Sequence, residues 1–263
     1  MKAAAFDYAK PVDVAAAIAL LVQADGAGKA VAGTQSLGPM LNLRLVQPDL
    51  LVDLRGIDEL RDVTETADAV MYGACVTHAA IEDGRVPDAG RGLMAFVAAN
   101  IAYRAVRNRG TIGGSLAHAD PTADWPSAMA LLGATLLIAG PGGRREVPMA
   151  AFVAGPFETA VGPDEVLVAV RVPKLSAAAR WGYRKFCRRT GEFAEAIGGA
   201  LADPARGVCR AVVGATHGAP LVLDGEWPDP EAAVAQAGMA EDLYERRIHA
   251  TMLRRALTDA GAP

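Results

Sequence analysis

The first fifty-odd residues narrow the choice of fold more than any other part of the chain. Residues 12–23 carry apolar side chains at helical spacing behind Pro11, and residues 29–33 form a short apolar run typical of a buried strand. Residues 37–45 predict a second helix and residues 50–54 a second strand. This alternation predicts a compact α/β unit in which a glycine loop joins the first strand to the second helix.

The middle of the chain shows shorter strands and helices. Strands are predicted at residues 61–66, 69–73, 134–139 and 165–172. Helices are predicted at residues 78–83, 93–99 and 127–132, and residues 108–126 are expected to form a glycine-rich polar loop. Pro141-Gly142-Gly143 is a hairpin signal, and the alternating run that stops at Pro173 predicts the last strand of this unit.

After Pro173 the pattern starts again as a small α+β domain. Strands are expected at residues 181–187 and 207–216, and residues 192–201 are expected to be a helix, or a strand and a helix. Two further helices are predicted at residues 231–237 and 242–258. The resulting domain prediction is an N-terminal subdomain (1–58), a second subdomain (59–173) and a C-terminal domain (174–263).

Composition excludes several functions. The chain has 263 residues, 52% apolar and 21% charged, which describes an ordinary globular protein. A net charge of -4 argues against a nucleic-acid partner. Cys75, Cys187 and Cys209 are scattered, so neither a disulfide framework nor a metal or iron-sulfur site is expected within this chain. We see no secretory signal and no apolar run long enough to span a membrane, and therefore expect a cytoplasmic protein.

Two loops share the same residue types. AGTQS (residues 32–36) and TIGGS (residues 111–115) combine glycines with hydroxyl side chains. Glycines let backbone N–H groups approach a ligand, and successive amides can form a concavity for phosphate oxygens. Either loop alone is more simply explained as a turn or a helix cap, and neither matches the dinucleotide or nucleoside triphosphate motifs. A pair of such loops suits a pyrophosphate.

Four segments carry a family resemblance. They are AGTQSLGPMLNLRLVQPDLLVDL (32–54), RNRGTIGGSLAHADPTADWP (107–126), EVLVAVRVP (165–173) and FCRRTGEFAEA (186–196). In order and spacing they resemble the FAD-binding medium subunit of the molybdenum hydroxylases, which include carbon monoxide dehydrogenase, xanthine dehydrogenase-type enzymes and bacterial N-heterocycle dehydrogenases. The resemblance implies an α+β fold: a two-subdomain FAD-binding domain of the vanillyl-alcohol-oxidase (PCMH) type, followed by a small C-terminal α+β domain.

The resemblance also implies an FAD site. Its residues are Lys29, Val31, Ala32, Gly33, Thr34, Gln35, Ser36, Leu37, Ile101, Thr111, Gly113, Gly114, Ser115, Asp120, Asp124, Leu167, Lys185 and Phe193. The two loops are expected to contact the diphosphate from either side, and Lys29 and Val31 to line the adenine side through backbone atoms. Ile101 and Leu167 are expected to be apolar walls.

Four of these residues have plain structural alternatives. Asp124, and less strongly Asp120, are expected to hydrogen-bond FAD, but either carboxylate also suits capping the helix after Pro126 or fixing the loop. Lys185 matches a basic position that contacts FAD, yet it also suits a solvated strand end. Phe193 is expected near the isoalloxazine ring, with core packing as the alternative.

The chain departs from the family pattern in two places. Family loops often read AGGxS, and here Thr34 replaces the middle glycine, so that the local backbone angles must suit a β-branched residue. The C-terminal domain is also shorter than in many relatives.

The function that the resemblance implies is electron transfer. We expect FAD to collect electrons from two [2Fe-2S] clusters of a small subunit, while a large subunit hydroxylates the substrate at a molybdenum-pterin cofactor. A dimer of heterotrimers is expected, with no catalytic residue in this chain, because none of His78, His118, His217 and His249 pairs with a nucleophile in the sequence. His118 is better explained as a loop-stabilising residue.

Two other functions remain open at this stage. The first is a stand-alone FAD oxidase or dehydrogenase of the same fold, and the second is a non-enzymatic binding or assembly module whose loops are only turns. The substrate and the electron acceptor, whether NAD, oxygen or a quinone-linked carrier, lie outside what this sequence specifies.

Overall fold

The computed structural model describes residues 2–239 and 241–262. The strands are β1 (Asp7–Ala9), β2 (Gly28–Val31), β3 (Leu50–Asp53), β4 (Val63–Glu65), β5 (Ala69–Gly73), β6 (Thr135–Gly140), β7 (Gly143–Pro148), β8 (Val153–Gly155), β9 (Glu158–Thr159), β10 (Val166–Pro173), β11 (Arg180–Phe186), β12 (Ala196–Asp203), β13 (Val208–Gly214) and β14 (Leu221–Asp224). The helices are α1 (Val14–Gln23), α2 (Leu37–Asn42), α3 (His78–Glu82), α4 (Leu93–Ala99), α5 (Arg104–Arg107), α6 (Ile112–His118), α7 (Asp124–Leu132), α8 (Pro230–Gln236) and α9 (Leu243–Asp259). Within the described residues, no helix is both long and apolar enough to cross a membrane.

The N-terminal part forms a three-stranded parallel sheet in the order β1-β3-β2. Helix α1 begins where the Asp13 carboxylate accepts a hydrogen bond from the Ala16 N–H at 2.7 Å, which satisfies one of the free amides of the first turn. Its buried face, Val14, Ala17 and Leu21, packs in one core cluster with residues of β3 and β10. The parallel order brings the chain back across the sheet and leaves the loop of residues 32–36 beyond the carboxyl end of β2.

The middle of the chain forms a five-stranded sheet in the order β4-β5-β10-β6-β7. The predicted hairpin is confirmed, because β6 and β7 pair from Gly140 opposite Gly143. Strand β10 is the last of this unit in the chain, as predicted, but it lies at the centre of the sheet. The position of a strand in a sheet depends on which strands pair with its two edges. The sequence pattern of a single strand does not specify those partners.

Residues 108–126 are more helical than predicted. The stretch expected to be a loop contains α6, and α7 begins at Asp124 rather than at residue 127. The sequence pattern does not predict α6, because Gly113 and Gly114 lower the helix propensity of its first turn. Tertiary hydrogen bonds compensate, since the Ile112 N–H donates to Val76 O and the Gly113 N–H to Ala74 O, both at 2.9 Å.

The C-terminal part forms a four-stranded antiparallel sheet, β11-β12-β13-β14. The prediction that residues 192–201 contain a helix is wrong, because β12 occupies this region and pairs on both sides. Its sequence, AIGGALAD, favours neither state strongly, and a Cβ atom added to Gly198 would collide with the backbone of α9. The missing side chain lets α9 pack directly onto the sheet, and that contact overrides local propensity.

The main core crosses the predicted limit between residues 173 and 174. Trp125, Leu131 and Leu136 of the second subdomain belong to one buried cluster with Ile197 and Val212 of the C-terminal sheet. Helix α7 therefore packs against that sheet on the face opposite α9. Each predicted unit contains one of the three larger sheets, while the domain limits themselves stay a prediction.

Candidate cofactor site

The first glycine loop leaves several backbone amides unpaired. Within residues 2–239 and 241–262, nothing accepts a hydrogen bond from the backbone N–H of Gln35, Ser36 or Leu37. The carbonyl oxygen of Gly33 accepts from the Thr34 Oγ1 at 2.7 Å and from the Gln35 Nε2 at 2.9 Å. These side chains stiffen the turn from within, and successive free N–H groups before a helix form a site for an anion.

Thr34 adopts a backbone conformation that favours glycine. Its φ of 59° lies in the left-handed region, where a β-branched residue is strained. Thr34 thus holds a left-handed conformation in which a glycine would be unstrained. The hydrogen bond from the Thr34 hydroxyl to the Gly33 carbonyl oxygen partly offsets this strain.

The second glycine loop is closed by its own hydrogen bonds. Thr111 caps α6, and its Oγ1 accepts from the Gly114 N–H at 3.0 Å while its carbonyl accepts from the Ser115 N–H at 3.0 Å. With Ile112 and Gly113 bonded to neighbouring carbonyls, four successive amides are already paired. This loop therefore offers a ligand its hydroxyl groups and the bare surface of Gly114, rather than a nest of N–H donors.

The two loops lie against each other. A Cβ atom added to Gly33 would collide with the carbonyl of Arg109, two residues before Thr111. A Cβ atom added to Gly114 would lie 3.9 Å from the Cβ of Ala32. Gly33 thus serves close approach of two backbones, Gly114 lies at ordinary contact distance from Ala32, and the structure brings both predicted loops into one site.

Gly113 has a different role from Gly114. A Cβ atom on Gly113 would collide with Ala74 in the interior, whereas Gly114 is exposed. Gly113 is thus needed for the packing of α6, and Gly114 is the glycine whose surface faces outward.

A buried histidine supports the second loop from below. The backbone N–H of His78 donates to the carbonyl oxygen of Gly110 at 3.0 Å. The ring Nδ1 of His78 accepts from the Trp125 Nε1–H at 3.0 Å. Burial, together with the charge of Arg107, lowers the pKa of His78 to about 4, so the ring is neutral with its proton on Nε2. Sequence reasoning considered His78 only as a catalytic partner, and nothing in the linear pattern connects it with Trp125.

Asp124 and Lys185 form a buried ion pair. The Lys185 Nζ lies 2.7 Å from the Asp124 Oδ2 and 3.2 Å from the carbonyl oxygen of Asn100. Burial raises the pKa of Asp124, an effect that the nearby Lys185 and the Tyr183 hydroxyl partly oppose. Tyr183, which sequence reasoning missed, donates to the Asp124 carbonyl at 3.2 Å. Two residues predicted separately are therefore partners, and Lys185 is not a solvated strand end.

The structure gives Asp124 and Asp120 different roles. Asp124 lies in the first turn of α7, and its carboxylate accepts hydrogen bonds from Lys185 Nζ at 2.7 Å and from the Tyr183 hydroxyl at 3.4 Å. Asp120 does fix its loop, because its Oδ1 accepts from the Thr122 N–H at 2.9 Å and the Thr122 Oγ1 at 2.6 Å.

The remaining predicted residues surround the loops at different depths. Val31 and Leu37 belong to a small core cluster beneath the first loop, and Lys29 is exposed. Ile101 is partly buried against the main core, whereas Leu167 is a full member of that core. Phe193 is 61% exposed, which does not agree with the core-packing alternative.

The donors present fit an FAD diphosphate. Its oxygens require hydrogen-bond donors that the protein does not use itself, and the first loop supplies N–H groups while Ser36, Thr111 and Ser115 add hydroxyls. The contact between the two loops brings both sets of donors into one region of the surface.

Comparison with known proteins gives the family. Residues 4–175 match the model of the FAD binding domain in molybdopterin dehydrogenase. The chain is 35% identical to the carbon monoxide dehydrogenase medium chain of Hydrogenophaga pseudoflava, covering 98% of this chain and 97% of the relative. It is 34% identical to the nicotine 6-hydroxylase medium subunit of Paenarthrobacter nicotinovorans, covering 100% and 99%.

A solved structure agrees with these matches. The carbon monoxide dehydrogenase from Hydrogenophaga pseudoflava superposes with a TM-score of 0.88 at 34% identity, covering 100% of this chain and 99% of that chain. The expected α+β fold with its FAD-binding domain is therefore confirmed, and the chain belongs to the family of FAD-binding medium subunits of the molybdenum hydroxylases.

Proposed function

We propose that the chain binds FAD between its two glycine loops and passes electrons from the [2Fe-2S] clusters of a small subunit to an external acceptor. The observation that carries this proposal is the set of unpaired amides at Gln35, Ser36 and Leu37, next to the closed second loop. Bound FAD supplies the exchange between single-electron carriers and a two-electron acceptor. The chain itself binds the cofactor, orients it and excludes water from part of it.

Each group of residues has a distinct task in this proposal. The first loop and the hydroxyls of Thr111 and Ser115 hold the diphosphate. The backbone at Lys29 and Val31 follows the adenosine half. Ile101 and the exposed Phe193 border the isoalloxazine ring, with Leu167 in the wall behind it.

The buried ion pair sets polarity near the ring. Lys185 and Asp124 neutralise each other at 2.7 Å, so the site presents hydrogen-bonding groups without a large net field. Asp120 acts through the loop that it fixes rather than as a direct ligand.

The partners follow from the relatives. Relatives are named as a medium chain and a medium subunit, which supports a complex with a larger and a smaller companion. We place a molybdenum-pterin cofactor in the large subunit and [2Fe-2S] clusters in the small one, within a dimer of heterotrimers in the cytoplasm. The chain's net charge of -4 gives no reason for a nucleic-acid partner.

Reconstitution tests the cofactor site. The purified chain should take up one FAD per chain, measured by visible absorption after gel filtration. Gly114→Val should lower FAD affinity, because the added Cβ atom would lie 2.8 Å from the Thr111 Oγ1 and the side chain would cover the outer surface of the second loop, whereas Gly142→Val in the open β6-β7 turn should not. Wild-type protein that retains no FAD would refute the proposal.

Purification from the native source tests electron transfer. Molybdenum and iron-sulfur subunits should co-purify with the chain, and substrate should reduce the FAD only in the assembled complex. Reduction of the isolated FAD-loaded chain by an organic substrate would favour a stand-alone oxidase instead.

A further inference from the structure

Arg107 makes four hydrogen bonds from one nearly buried guanidinium. Its Nε and Nη2 donate to the two carboxylate oxygens of Glu82 at 2.7 and 3.0 Å. Its Nη1 donates to the carbonyl oxygens of Ile101 and Ala102, both at 3.0 Å. The Arg107 side chain is only 12% exposed. The planar guanidinium bonds a carboxylate on one side and two carbonyl oxygens on the other. It thereby links α3 to the turn after α4.

That turn, residues 100–102, supports two parts of the proposed flavin end. Ala102 has a φ of 42°, a left-handed conformation that needs support from its surroundings. The carbonyl oxygen of Asn100 accepts from Lys185 Nζ at 3.2 Å. A Cβ atom added to Gly191 would lie 2.9 Å from the carbonyl oxygen of Ala102, so the C-terminal loop of residues 187–195 rests directly on the turn.

We propose that Arg107 is a positioning residue for the flavin end of the site: by holding the carbonyls of Ile101 and Ala102, it fixes both the Ile101 wall and the seat of the loop that carries Phe193. This rests on the proposed function, because it assigns Ile101 and Phe193 to the isoalloxazine side. Among the described residues, the side chains of Arg107 and Glu82 make no hydrogen bond to either glycine loop. Loss of the Arg107–Glu82 pair should therefore increase the mobility of the flavin ring and of the C-terminal loop, while the diphosphate stays bound.

Arg104 provides a matched control on the same short helix. It is also paired with Glu82, at 2.9 Å, and with Asp83, at 2.6 Å, but its side chain is 47% exposed. In the described part of the chain it donates to no carbonyl of the turn. Replacing it removes an arginine and its ion pairs while leaving the four Arg107 bonds in place.

The experiment uses the full FAD-loaded chain with Arg107→Gln, Arg107→Lys and Arg104→Gln. Three quantities are measured: FAD per chain, quenching of flavin fluorescence by iodide, and the rate of tryptic cleavage after Arg188 and Arg189. We expect Arg107→Gln to keep its FAD while cleavage in the loop becomes about tenfold faster, the factor that loss of one charge-assisted hydrogen bond gives. Iodide quenching should rise in the same variant, Arg107→Lys should recover part of both effects, and Arg104→Gln should match wild type.

Each outcome decides the question. Equal quenching and cleavage in Arg107→Gln and Arg104→Gln would overturn the proposal. If Arg107→Gln does not fold, Glu82→Gln keeps the carbonyl bonds but weakens the support on the other side of the guanidinium, and it should show a smaller increase in both readouts. Wild-type behaviour of Glu82→Gln would then overturn the proposal. A wild-type chain that takes up no FAD refutes the proposed function instead, while the cleavage comparison still reports on the loop.

Discussion

Thr34 shows how one residue can keep a backbone shape that another residue type favours. A non-glycine residue in the left-handed region costs about 1–2 kcal/mol, and here the loop shape persists because Gly33 and Gln35 also fix it. The threonine hydroxyl adds a bond within the turn and leaves the amides outside it free. The left-handed φ at residue 34 is therefore set by the hydrogen bonds of the loop and does not require a glycine at this position.

The first prediction is that Thr34→Gly preserves FAD occupancy and raises the melting temperature by about 2 °C. Relief of strain is partly offset by the greater freedom of glycine in the unfolded chain. Differential scanning calorimetry and the visible spectrum measure the two quantities. Thr34→Ala is the control, since it removes the hydroxyl but keeps a Cβ atom at a positive φ, and it should give no stabilisation. Loss of FAD in Thr34→Gly would mean that the hydroxyl itself is a ligand.

The second prediction concerns the Asp124–Lys185 pair. Lys185→Met leaves Asp124 buried without its cation, which should lower the free energy of unfolding by about 3–5 kcal/mol at neutral pH. Burial already raises the pKa of Asp124, and loss of Lys185 raises it further. A raised carboxyl pKa means that the folded state binds the proton more tightly than the unfolded state, so the variant gains stability as pH falls towards the unfolded pKa. The penalty should therefore shrink in acid.

Urea unfolding of the wild type and the variant across this pH range measures that change. Arg184→Met is the control, because Arg184 is 49% exposed and pairs with Asp259 at the surface. Its effect should be below about 1 kcal/mol. A Lys185→Met penalty that does not change with pH would contradict the assignment of the cost to a charged, buried Asp124.

At the scale of elements, close packing of α9 on β11 and β12 depends on glycines. Cβ atoms on Gly182 or Gly198 would collide with the backbone of α9, at Ala256 and at Leu253 respectively. Helix–sheet contact at this distance leaves no room for a methyl group. The C-terminal domain thus combines a side-chain core with a close backbone contact between α9 and the sheet.

The third prediction follows from this contact. Gly198→Ala should displace α9 and lower the free energy of unfolding by about 1–3 kcal/mol or more, since overpacking cannot be relieved by a rotamer change against backbone. Gly218→Ala, which faces open space in the same domain, should be close to neutral. Hydrogen exchange should show faster exchange in α9 for Gly198→Ala alone. Equal protection of α9 in both variants would contradict this account.

Elements differ in how far the sequence predicts them. Helix α1 and strand β3 follow from apolar periodicity and flanking turn residues, because their packing faces are local patterns. Strand β12 and helix α6 do not, since each contains a glycine, Gly198 or Gly113, that is needed for contact with distant backbone. The strand position of β10 depends on which strands pair with it, and β1, three residues long, carries too little pattern to detect.

The candidate site divides in the same way. The two loops are predictable because glycine and hydroxyl residues at a strand-to-helix junction have a local physical meaning. The partners Trp125, Tyr183 and Arg107 are not, because they reach His78, Asp124 and Glu82 across 47, 59 and 25 residues of chain respectively. Only the fold brings these groups together. Family resemblance supplied Asp124 and Lys185 individually, and the structure shows that they are a pair.

At the scale of the whole molecule, the C-terminal sheet completes the core of the second subdomain. Helix α7 is buried between them, with Trp125, Met129 and Leu131 fully enclosed. The two parts therefore share the apolar surface on which each depends. A division of the chain near residue 173 would separate residues of this shared cluster, although the C-terminal sheet and helices α8 and α9 also have a cluster of their own.

The fourth prediction is that a fragment of residues 1–173 does not fold on its own. It would expose the outer face of α7 and leave Asp124 without Lys185, so it should bind a hydrophobic dye and show no cooperative thermal transition. The complete chain should unfold in a single transition by calorimetry. A soluble fragment with a sharp transition of its own would contradict the shared core.

The difference between the two glycine loops has a consequence for cofactor binding. The second loop is complete without a ligand, because its amides are paired within the chain, so it can take its final shape during folding. The first loop is also fixed by its own side chains, but its amides at Gln35, Ser36 and Leu37 are free to donate. In the proposed complex, FAD therefore adds hydrogen bonds at the first loop and leaves those of the second loop unchanged.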